Sequence, residues 1–499
     1  MNQITEWNGD TYLAVRGDFV LKVDGGRPVL YPLDYSDTRL LVLKPIEGFA
    51  LSLLNGQRRV RDVESMYETL FPDAAPGSLA ATLESVDNFV KSERTQSGIG
   101  QYGVLERSAT PIHGAPRFDP REFVIGPDEY AALVSDYKTK RRLRTPISIL
   151  CVFTSRCATN CAYCYAERTK TTEMSLARWV ELIREMRQLG IRLCSPDNGD
   201  VFARKDGIEF CEALLENGLH FLLSTKSYVS AEHVRRLVDG GLALPSGGMP
   251  RRTVQLSIDA VSEDVQRRLY GVPPICRRTA ETFDNFMRYG LAPRIKAVIT
   301  GYNVNEAKAL VDYFYPRGAR QFHFARYSRT FFRHVDELFL NQEQVEAFRR
   351  QYQAIQEQYP DTDCWQDILP SSERPAAETL DRRTIWDRRK GCGGGWLSLG
   401  IGADGRAFLC EQMKMSEEFV VGDLSVQSIQ EVWNSPRLLD FIYPERERFE
   451  GTICRQCPEF EKCMWESGRC YRDAYFCYGT IYDSPPLCPY NSRPGVRLS

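Results

Sequence analysis

The N-terminal part of the chain shows two kinds of hydrophobic pattern. From Thr11 to Leu33 apolar and polar positions alternate, and Asp24-Gly25-Gly26 interrupts the alternation as a turn between two strands. Apolar positions at helical spacing follow at about 46–55, 60–70 and 79–93. A short sheet followed by three helices predicts a small winged-helix-like domain over residues 1–94, with a bridging region over 95–146.

A strand-helix-strand pattern begins at Ile147. Helical patterns separate six strand candidates, at residues 147–153, 191–195, 220–225, 254–258, 294–299 and 321–325. In the first of these helices Ser175 is the predicted N-cap, and one face carries Leu176, Trp179, Val180, Ile183 and Met186. The repeated units predict parallel strands, so the expected fold class is α/β, with a partial (β/α)6 barrel over 147–335. Ligands of such sheets bind beyond the carboxyl ends of the strands.

The last third of the chain differs from the preceding part in composition and periodicity. Residues 336–390 are charged and follow a helical pattern, which predicts a helical connector. After Gly391 the sequence is rich in Cys, Gly and aromatic residues and has little periodicity. A segment of this kind depends on bound metal to fold, so residues 391–499 are predicted to form an irregular Cys-rich domain.

Composition and charge narrow the classes of function. The chain has 64 Lys and Arg against 66 Asp and Glu, a net charge of −2, whereas a non-specific phosphate binder needs a basic surplus. No apolar run reaches the roughly 18 residues of a membrane span. The sequence MNQITEWNGDTYLAV has neither the basic nor the apolar region of a secretory signal. We therefore expect a cytoplasmic protein with no nucleic-acid partner and no membrane partner.

The 16 cysteines are unevenly distributed. Residues 1–150 contain none, three lie within 157–164, and eight lie between 392 and 488. In a long chain without a secretory signal, such clustering indicates metal or redox chemistry rather than disulfides. The other five are expected to be core thiols in apolar patterns (Cys151, Cys194 and Cys211) or residues of polar loops (Cys276 and Cys364).

The first cysteine group is Cys157-Ala-Thr-Asn-Cys161-Ala-Tyr-Cys164, directly after the first barrel strand. Three thiolates at this spacing can hold one iron–sulfur cluster, and a four-iron cluster with three cysteines leaves one iron open for a substrate or cofactor. The alternative is a structural zinc site completed by a distant ligand. The motif resembles that of the radical S-adenosylmethionine enzymes. The resemblance implies that the open iron binds the amino and carboxylate groups of S-adenosylmethionine, whose reductive cleavage gives a 5′-deoxyadenosyl radical.

The same family contacts S-adenosylmethionine from later strand ends. It usually carries Gly-Gly-Glu-Pro after the second strand, where this chain has Asn198-Gly199-Asp200-Val201. By this resemblance Gly199 turns the chain close to the ligand and Asp200 accepts a hydrogen bond from the ligand ammonium, with a surface turn as the alternative. The other expected cofactor contacts are Tyr163, Asn198, Ser224, Ser257 and Asp259. For Ser224, Ser257 and Asp259 the alternative is strand-end capping. Lys296 and Thr300, near the fifth strand, are weaker candidates for a cofactor contact.

The C-terminal cysteine group comprises Cys392, Cys410, Cys454, Cys457, Cys463, Cys470, Cys477 and Cys488. Eight thiolates match two four-iron clusters with four ligands each, and a pair of zinc knuckles is the alternative. The spacing resembles the SPASM extension of radical S-adenosylmethionine enzymes, although Cys463-x6-Cys470 stands where that family has Cys-x3-Cys. By resemblance, the first auxiliary cluster takes Cys392, Cys410 and Cys470. The second takes Cys454, Cys457, Cys463 and either Cys477 or Cys488, and the left-over cysteine completes the first cluster or leaves it open to a substrate thiolate.

The segment from Leu51 to Val63 resembles the precursor-peptide recognition element of peptide-modifying enzymes, a small winged-helix fold. The resemblance implies that a leader peptide adds a strand to a sheet edge, where backbone hydrogen bonds give affinity and side-chain pockets give specificity. A winged helix is also a common DNA-binding shape. In this domain, however, the only dense basic group is Arg58, Arg59 and Arg61.

Together these resemblances predict a peptide maturase that uses S-adenosylmethionine and three [4Fe-4S] clusters. The expected partners are a precursor peptide, bound through its leader, and an electron donor such as flavodoxin or ferredoxin. The expected reaction is hydrogen abstraction followed by crosslink formation, with a thioether first and carbon–carbon or carbon–oxygen links next. The alternatives are a sulfatase-type maturase that oxidises Ser or Cys, and a zinc-containing winged-helix nucleic-acid binding protein. The peptide, the bond and the acceptor residue stay open.

Overall fold

The structure, a computed structural model, divides into two compact units, one ending at Arg144 and the other beginning at Thr145. It describes residues 7–33, 40–96, 102–126, 128–129, 131–132, 142–168, 172–242, 254–370, 381–389, 391–467 and 469–496. None of the helices in these ranges is both long enough and apolar enough to cross a membrane.

The N-terminal unit is built on short antiparallel strands. Strands β2 (Phe19–Asp24), β3 (Arg27–Pro32) and β4 (Leu41–Val42) form one sheet in that order. The predicted turn joins β2 to β3 through Gly25 and Gly26, whose φ angles of 55° and 90° are those of a two-residue hairpin turn. A second pair consists of β1 (Tyr12–Val15) and β5 (Leu105–Ser108).

Three helices follow β4 where the periodicity predicts them. They are α1 (Pro45–Ser52), α2 (Val60–Leu70) and α3 (Ser78–Gln96), so the first helix ends three residues earlier than its pattern. Their apolar faces form one core with the strands, in which Leu13, Leu30, Leu51 and Leu83 are almost completely buried. This burial of apolar surface stabilises the unit.

Part of the expected bridging region belongs to this N-terminal core. Strand β5 lies within it and pairs with β1 from Tyr12 to Val15. The fully buried carboxylate of Asp87 on α3 fixes this strand, because it accepts from the Leu105 backbone N–H at 2.9 Å and from the Arg107 guanidinium at 2.6 Å. The unit therefore continues past residue 94, up to Arg144.

The second unit contains the expected parallel strands. They are β6 (Ser148–Cys151), β7 (Leu193–Pro196), β8 (His220–Phe221), β9 (Leu223–Thr225), β10 (Val254–Ser257), β11 (Arg294–Ile299) and β12 (Gln321–Arg326). The β6-β7-β8 run and the β9-β10-β11-β12 run are parallel throughout, as an α/β barrel segment requires. The predicted strand 220–225 is divided into β8 and β9, which lie in different sheets, and the limits of the other strands differ from the predicted ones by no more than two residues.

Helices alternate with these strands: α4 (Leu176–Gln188), α5 (Gly207–Glu216), α6 (Ala231–Asp239), α7 (Glu263–Tyr270), α8 (Cys276–Arg288) and α9 (Ala307–Phe314). The Ser175 hydroxyl caps α4 by accepting from the Arg178 backbone N–H, as predicted. The buried face of α4 consists of Trp179, Leu182, Ile183 and Met186. This face packs against the sheet and belongs to a large apolar core.

The parallel strands form two sheets, and each sheet extends at one edge beyond the predicted strands. Helix α10 (Gln342–Gln358) leads into β13 (Asp363–Gln366), which pairs in parallel with β12, so the expected helical connector also supplies a strand. In the other sheet β14 (Ser398–Ile401) pairs in parallel with β6 and continues into β15 (Arg406–Phe408) and β16 (Gly422–Asp423). Each added strand covers an edge that would otherwise expose backbone hydrogen-bonding groups.

The Cys-rich region is therefore less irregular than its sequence predicts. Besides its three strands it contains α12 (Ile429–Trp433), α13 (Pro436–Ile442) and α14 (Tyr471–Tyr478), and α11 (Arg382–Arg388) precedes it. Trp433 is fully buried in the core that this region shares with the parallel sheet. A covered core of this kind holds the cysteine-bearing loops in place.

Candidate active site

The loop after β6 brings Cys157, Cys161 and Cys164 to the wall of one cavity of about 160 Å³, the strand-end cavity. Two backbone hydrogen bonds of 2.8 Å hold this loop, from Asn160 to Tyr270 and from Ala162 to Leu269. The Thr159 hydroxyl lies 3.5 Å from the Cys157 sulfur and 3.3 Å from the Cys161 sulfur. The three thiols of the sequence motif therefore face one space at the carboxyl ends of the strands.

Two positively charged side chains, Arg168 and Lys226, lie beside these thiols, and no sequence motif predicted either of them. The Arg168 guanidinium donates to the Thr159 carbonyl, and its Nη2 lies 3.6 Å from the Cys164 sulfur. Lys226 lines the same cavity. Burial raises the pKa of Cys161 and the Lys226 charge opposes this rise. Positive charge on both sides favours the thiolate form that an iron–sulfur cluster requires.

All seven expected cofactor contacts line the strand-end cavity: Tyr163, Asn198, Gly199, Asp200, Ser224, Ser257 and Asp259. Lys296 lines it as well. Thr300 differs from these residues, because it is fully buried and its hydroxyl donates to Asn303 Oδ1 at 2.8 Å. Thr300 therefore shapes the loop after β11 rather than facing the cavity.

Asn198 and Gly199 bring the backbone close to the cavity in a conformation that few residues adopt. Asn198 has a φ of 69°, in the left-handed region, where Asn is among the few tolerated side chains. A Cβ at position 199 would overlap the carbonyl oxygen of Thr154, so only glycine fits there. The buried Oδ1 of Asn198 has no hydrogen-bond partner among the described residues. An unpaired buried acceptor on a cavity wall is suited to a ligand that donates a hydrogen bond.

Asp200 is used differently from the expected ammonium contact. Its carboxylate is almost completely buried and accepts from Thr225 Oγ1 at 2.8 and 2.9 Å. It also accepts from the backbone N–H groups of Lys226, Ser227 and Phe202 at 2.9, 3.0 and 3.2 Å. These donors occupy the lone-pair directions of a carboxylate, so Asp200 ties the loop after β7 to the loop after β9 instead of facing a ligand with a free oxygen.

Asp259 is also engaged within the protein. It accepts from the Val298 backbone N–H at 2.7 Å, from Lys226 Nζ at 2.9 Å and from the Tyr163 hydroxyl. Although burial disfavours the Lys226 charge, the Asp259 carboxylate and the Cys161 thiol outweigh it and raise the Lys226 pKa. Asp259 therefore fixes Tyr163 and Lys226 at the wall of the strand-end cavity.

The two expected serines form a polar layer inside the barrel. The hydroxyl groups of Ser224 and Ser257 are 3.5 Å apart, and Gln255 Nε2 donates to Ser224 at 2.9 Å. Because each hydroxyl retains a rotatable proton, both serines remain able to donate into the cavity.

An acidic pair that sequence reasoning missed, Asp197 and Glu411, is half-buried near Lys296. Burial raises both pKa values, that of Glu411 to about 8, and the Asp197 charge adds to the rise of the Glu411 pKa. Burial lowers the pKa of the neighbouring Lys296, and Asp197 opposes this effect. Asp197 directly precedes Asn198, and Glu411 directly follows Cys410, so both belong to segments that the motifs had marked.

Four C-terminal cysteines form a set of their own, the Cys454 set. Its members Cys454, Cys457, Cys463 and Cys488 line one small cavity together with Trp386, Phe460, Met464 and Arg469. Burial raises the pKa of Cys454 to about 12 and that of Cys463 to about 11. Arg389 Nη2 lies 3.9 Å from the Cys463 sulfur. Of the two cysteines that the spacing left open, Cys488 joins this set.

Three others form the Cys392 set, which consists of Cys392, Cys410 and Cys470. Burial, followed by the charges of these three thiols, raises the pKa of Tyr471 well above its ordinary value. Cys477 lies two turns along α14 from Cys470. The charges that act most on the Cys477 pKa are those of Asp473, Arg329 and Arg472, and Gly495 packs against its sulfur.

The remaining cysteines lie in regular structure. Cys151 and Cys194, on neighbouring strands, are buried with their sulfurs 3.2 Å apart, and Cys211 is buried in α5, as expected of core thiols. The expectation of polar loops for Cys276 and Cys364 was wrong. Cys276 is the buried first residue of α8 and Cys364 lies in β13, because the flanking apolar residues Ile275 and Trp365 anchor both segments.

Two of these regions match models of known protein families. The Radical SAM superfamily model matches residues 151–313, and the SPASM model, described as an iron–sulfur cluster-binding domain, matches residues 392–458. The first match contains the three-cysteine loop and the strands that line the strand-end cavity. The second contains Cys392, Cys410, Cys454 and Cys457.

Individual proteins that resemble the chain include two enzymes named PqqA peptide cyclase. That of Methylocella silvestris is 23% identical over 362 residues, 70% of this chain and 88% of the relative, and that of a Methylobacterium species is 24% identical over 370 residues, 69% and 86%. The solved structures of Streptococcus suis SuiB, bound to S-adenosylmethionine or to its precursor peptide SuiA, share the fold. In both cases the TM-score is 0.63 at 15% identity, with 95% of this chain and 99% of SuiB covered.

Proposed function

Because the chain belongs to the radical SAM superfamily, we propose that it is an S-adenosylmethionine-dependent enzyme that forms a crosslink in a ribosomally made precursor peptide. The observation that carries this proposal is the convergence of Cys157, Cys161 and Cys164 on the strand-end cavity, which Asn198 also lines. The similarity to PqqA peptide cyclases supports a peptide as the substrate.

The residues of the strand-end cavity fit a three-cysteine iron–sulfur cluster and S-adenosylmethionine. When bound, the two supply the one-electron chemistry that removes a hydrogen atom from an unactivated carbon. Asn198 Oδ1 would accept from the ammonium group, and the Ser224 and Ser257 hydroxyls would donate to polar groups of the ligand. Lys226, held by Asp259, and Arg168 add positive charge beside the thiolates.

We assign the auxiliary iron–sulfur sites from the two C-terminal cysteine sets. The Cys454 set would supply four thiolates to one four-iron cluster. The Cys392 set would supply three to another, leaving one iron without a cysteine ligand. This makes three clusters in all, and it leaves Cys477 outside them. The cluster of the Cys392 set is the one suited to a substrate thiolate, which favours a thioether as the product.

The N-terminal unit is proposed to recognise the leader of the precursor peptide. Its antiparallel β2-β3-β4 sheet has edges at which an extended peptide can add a strand. Two of the three arginines of its basic group, Arg59 and Arg61, lie 3.1 and 2.9 Å from the Asp10 carboxylate. This pairing reduces the positive potential that DNA binding would need, and so it favours peptide recognition.

The reaction also requires an electron donor such as flavodoxin or ferredoxin and a compartment that keeps thiols reduced. All 16 cysteines are unpaired in the structure, which supports a cytoplasmic location, where disulfides are rare. Oxidation of Ser or Cys on a protein, the sulfatase-type reaction, remains the alternative product class.

Anaerobic incubation of the reconstituted enzyme with a precursor peptide, S-adenosylmethionine and a reductant tests the proposal. We expect 5′-deoxyadenosine and a peptide that has lost two hydrogen atoms, both detected by mass spectrometry. Replacing Cys157, Cys161 and Cys164 by Ala should abolish both products, whereas the matched variant Cys364→Ala should form them. Formation of 5′-deoxyadenosine by the triple variant would contradict the proposed site.

A further inference from the structure

One buried cation lies between the two C-terminal cysteine sets. Arg469 is only 6% exposed and lines the small cavity of the Cys454 set. It also lines a second small cavity together with Cys392, Trp396 and Tyr471.

Arg469 has no carboxylate partner within the described part of the chain. Its guanidinium donates to the Ile481 carbonyl and lies 5.0 Å above the centre of the Phe449 ring. A buried guanidinium without a counter-charge is strongly unfavourable. Anionic groups bound at the cysteine sets would supply that counter-charge.

We propose that Arg469 is a positioning residue shared by the two auxiliary clusters, and that its charge raises the reduction potential of both. This inference rests on the cluster assignment of the proposed function. Uptake of an electron adds one negative charge to a cluster, and a nearby buried cation stabilises the charged product. Both clusters are thereby made better acceptors for the electron that crosslink formation releases.

Arg389 provides a matched comparison within the same region. It lies 3.9 Å from the Cys463 sulfur and its guanidinium stacks on Trp386 at 3.4 Å. Cys463 and Trp386 both line the cavity of the Cys454 set. Removing this charge should therefore affect one cluster, whereas removing the Arg469 charge should affect two.

Redox titration of the reconstituted full-length protein, followed by electron paramagnetic resonance, tests the proposal. The Arg469→Gln variant should keep the iron content of the wild type and show lower midpoint potentials for both auxiliary signals. Arg469→Lys should restore potentials close to those of the wild type, and Arg389→Gln should lower only one of them. The signal of the third cluster, at Cys157, Cys161 and Cys164, should stay unchanged in all three variants.

Unchanged auxiliary potentials in an iron-replete Arg469→Gln protein would overturn the inference while leaving the cluster assignment intact. If Arg469→Gln loses iron, the Arg469→Lys variant tests the inference instead. Full iron content and wild-type potentials in Arg469→Lys would support a role of the positive charge. Loss of iron in Arg469→Lys as well would overturn the inference. Wild-type protein that holds about four irons instead of about twelve would contradict the cluster assignment itself.

Discussion

Both carboxylate oxygens of Asp200 lie within hydrogen-bond distance of the Thr225 hydroxyl, at 2.9 and 2.8 Å, and this contact links the loop after β7 to the loop after β9. The two residues are 25 positions apart in sequence. Their contact fixes the relative positions of Asn198 and Lys226, which face the strand-end cavity from the two loops. Asp200 thus holds together two loops that line the strand-end cavity.

Replacing Asp200 by Ala should lower stability more than it lowers intrinsic ligand affinity. The change leaves the Thr225 hydroxyl and the backbone N–H groups of Lys226 and Phe202 without the acceptor they have now, and each buried unpaired donor costs about 1–3 kcal/mol. We expect a loss of about 2–5 kcal/mol, measured by denaturant unfolding under anaerobic conditions. The milder Asp200→Asn should keep affinity for S-adenosylmethionine within about threefold. A fall of tenfold or more without loss of stability would instead make Asp200 a direct ligand contact.

Asn198 should contribute directly to binding of S-adenosylmethionine. The Asn198→Gly variant removes the unpaired oxygen and keeps the left-handed backbone, which glycine adopts without strain. A hydrogen bond to a charged group is worth about 1.5–3 kcal/mol, so calorimetry should show a roughly ten- to hundredfold loss of affinity. Iron content should not change. Equal affinity in variant and wild type would return Asn198 to a purely conformational role.

Cys488 and Cys477 should differ as cluster ligands. Cys488→Ala removes one of the four thiols of the Cys454 set, so anaerobically reconstituted protein should contain up to about four fewer irons. Cys477→Ala should retain the iron content of the wild type, because its sulfur packs against Gly495 instead of another cysteine set. Iron analysis and electron paramagnetic resonance distinguish the two variants. Loss of iron in Cys477→Ala alone would reverse the assignment.

Some features of the fold and of this site could be predicted from the sequence, and others could not. Strand and helix positions follow from local periodicity, and Cys157, Cys161 and Cys164 follow from close spacing, so both were predictable. The partner of Asp200 was not, because Thr225 reaches it only when two strand ends meet in the fold. Strand β14 was missed since its Ser-Leu-Gly-Ile sequence lacks clear alternation and forms by pairing with the β6 edge.

The cations at the cysteine sets were missed for a related reason. Arg168 and Arg469 each lie within a few residues of a cysteine, but arginine is common near such loops and no spacing distinguishes these two. Only their burial and the thiols around them separate them from surface arginines. By contrast, the choice between Cys477 and Cys488 was correctly left open by the spacing alone.

Removal of residues 1–144 should separate substrate recognition from chemistry. The N-terminal unit has its own apolar core and contains no cysteine, and the proposed cofactor residues all lie beyond Thr145. The shortened protein should therefore bind S-adenosylmethionine and cleave it without peptide at a rate close to that of the full chain, as chromatography of 5′-deoxyadenosine would show.

Modification of a full precursor should, in contrast, fall steeply in the shortened protein. Leader docking makes the encounter with the core peptide intramolecular, at an effective concentration near millimolar, so at about micromolar precursor we expect a loss of roughly a hundredfold or more. Millimolar core peptide should partly restore the rate, because it replaces that local concentration. Fluorescence anisotropy of a labelled leader with the full chain supplies the binding measurement. A different result would contradict this role: the leader does not bind, and duplex DNA binds with a steep dependence on salt concentration. The N-terminal unit would then bind nucleic acid, and the precursor would have to reach the barrel by another route.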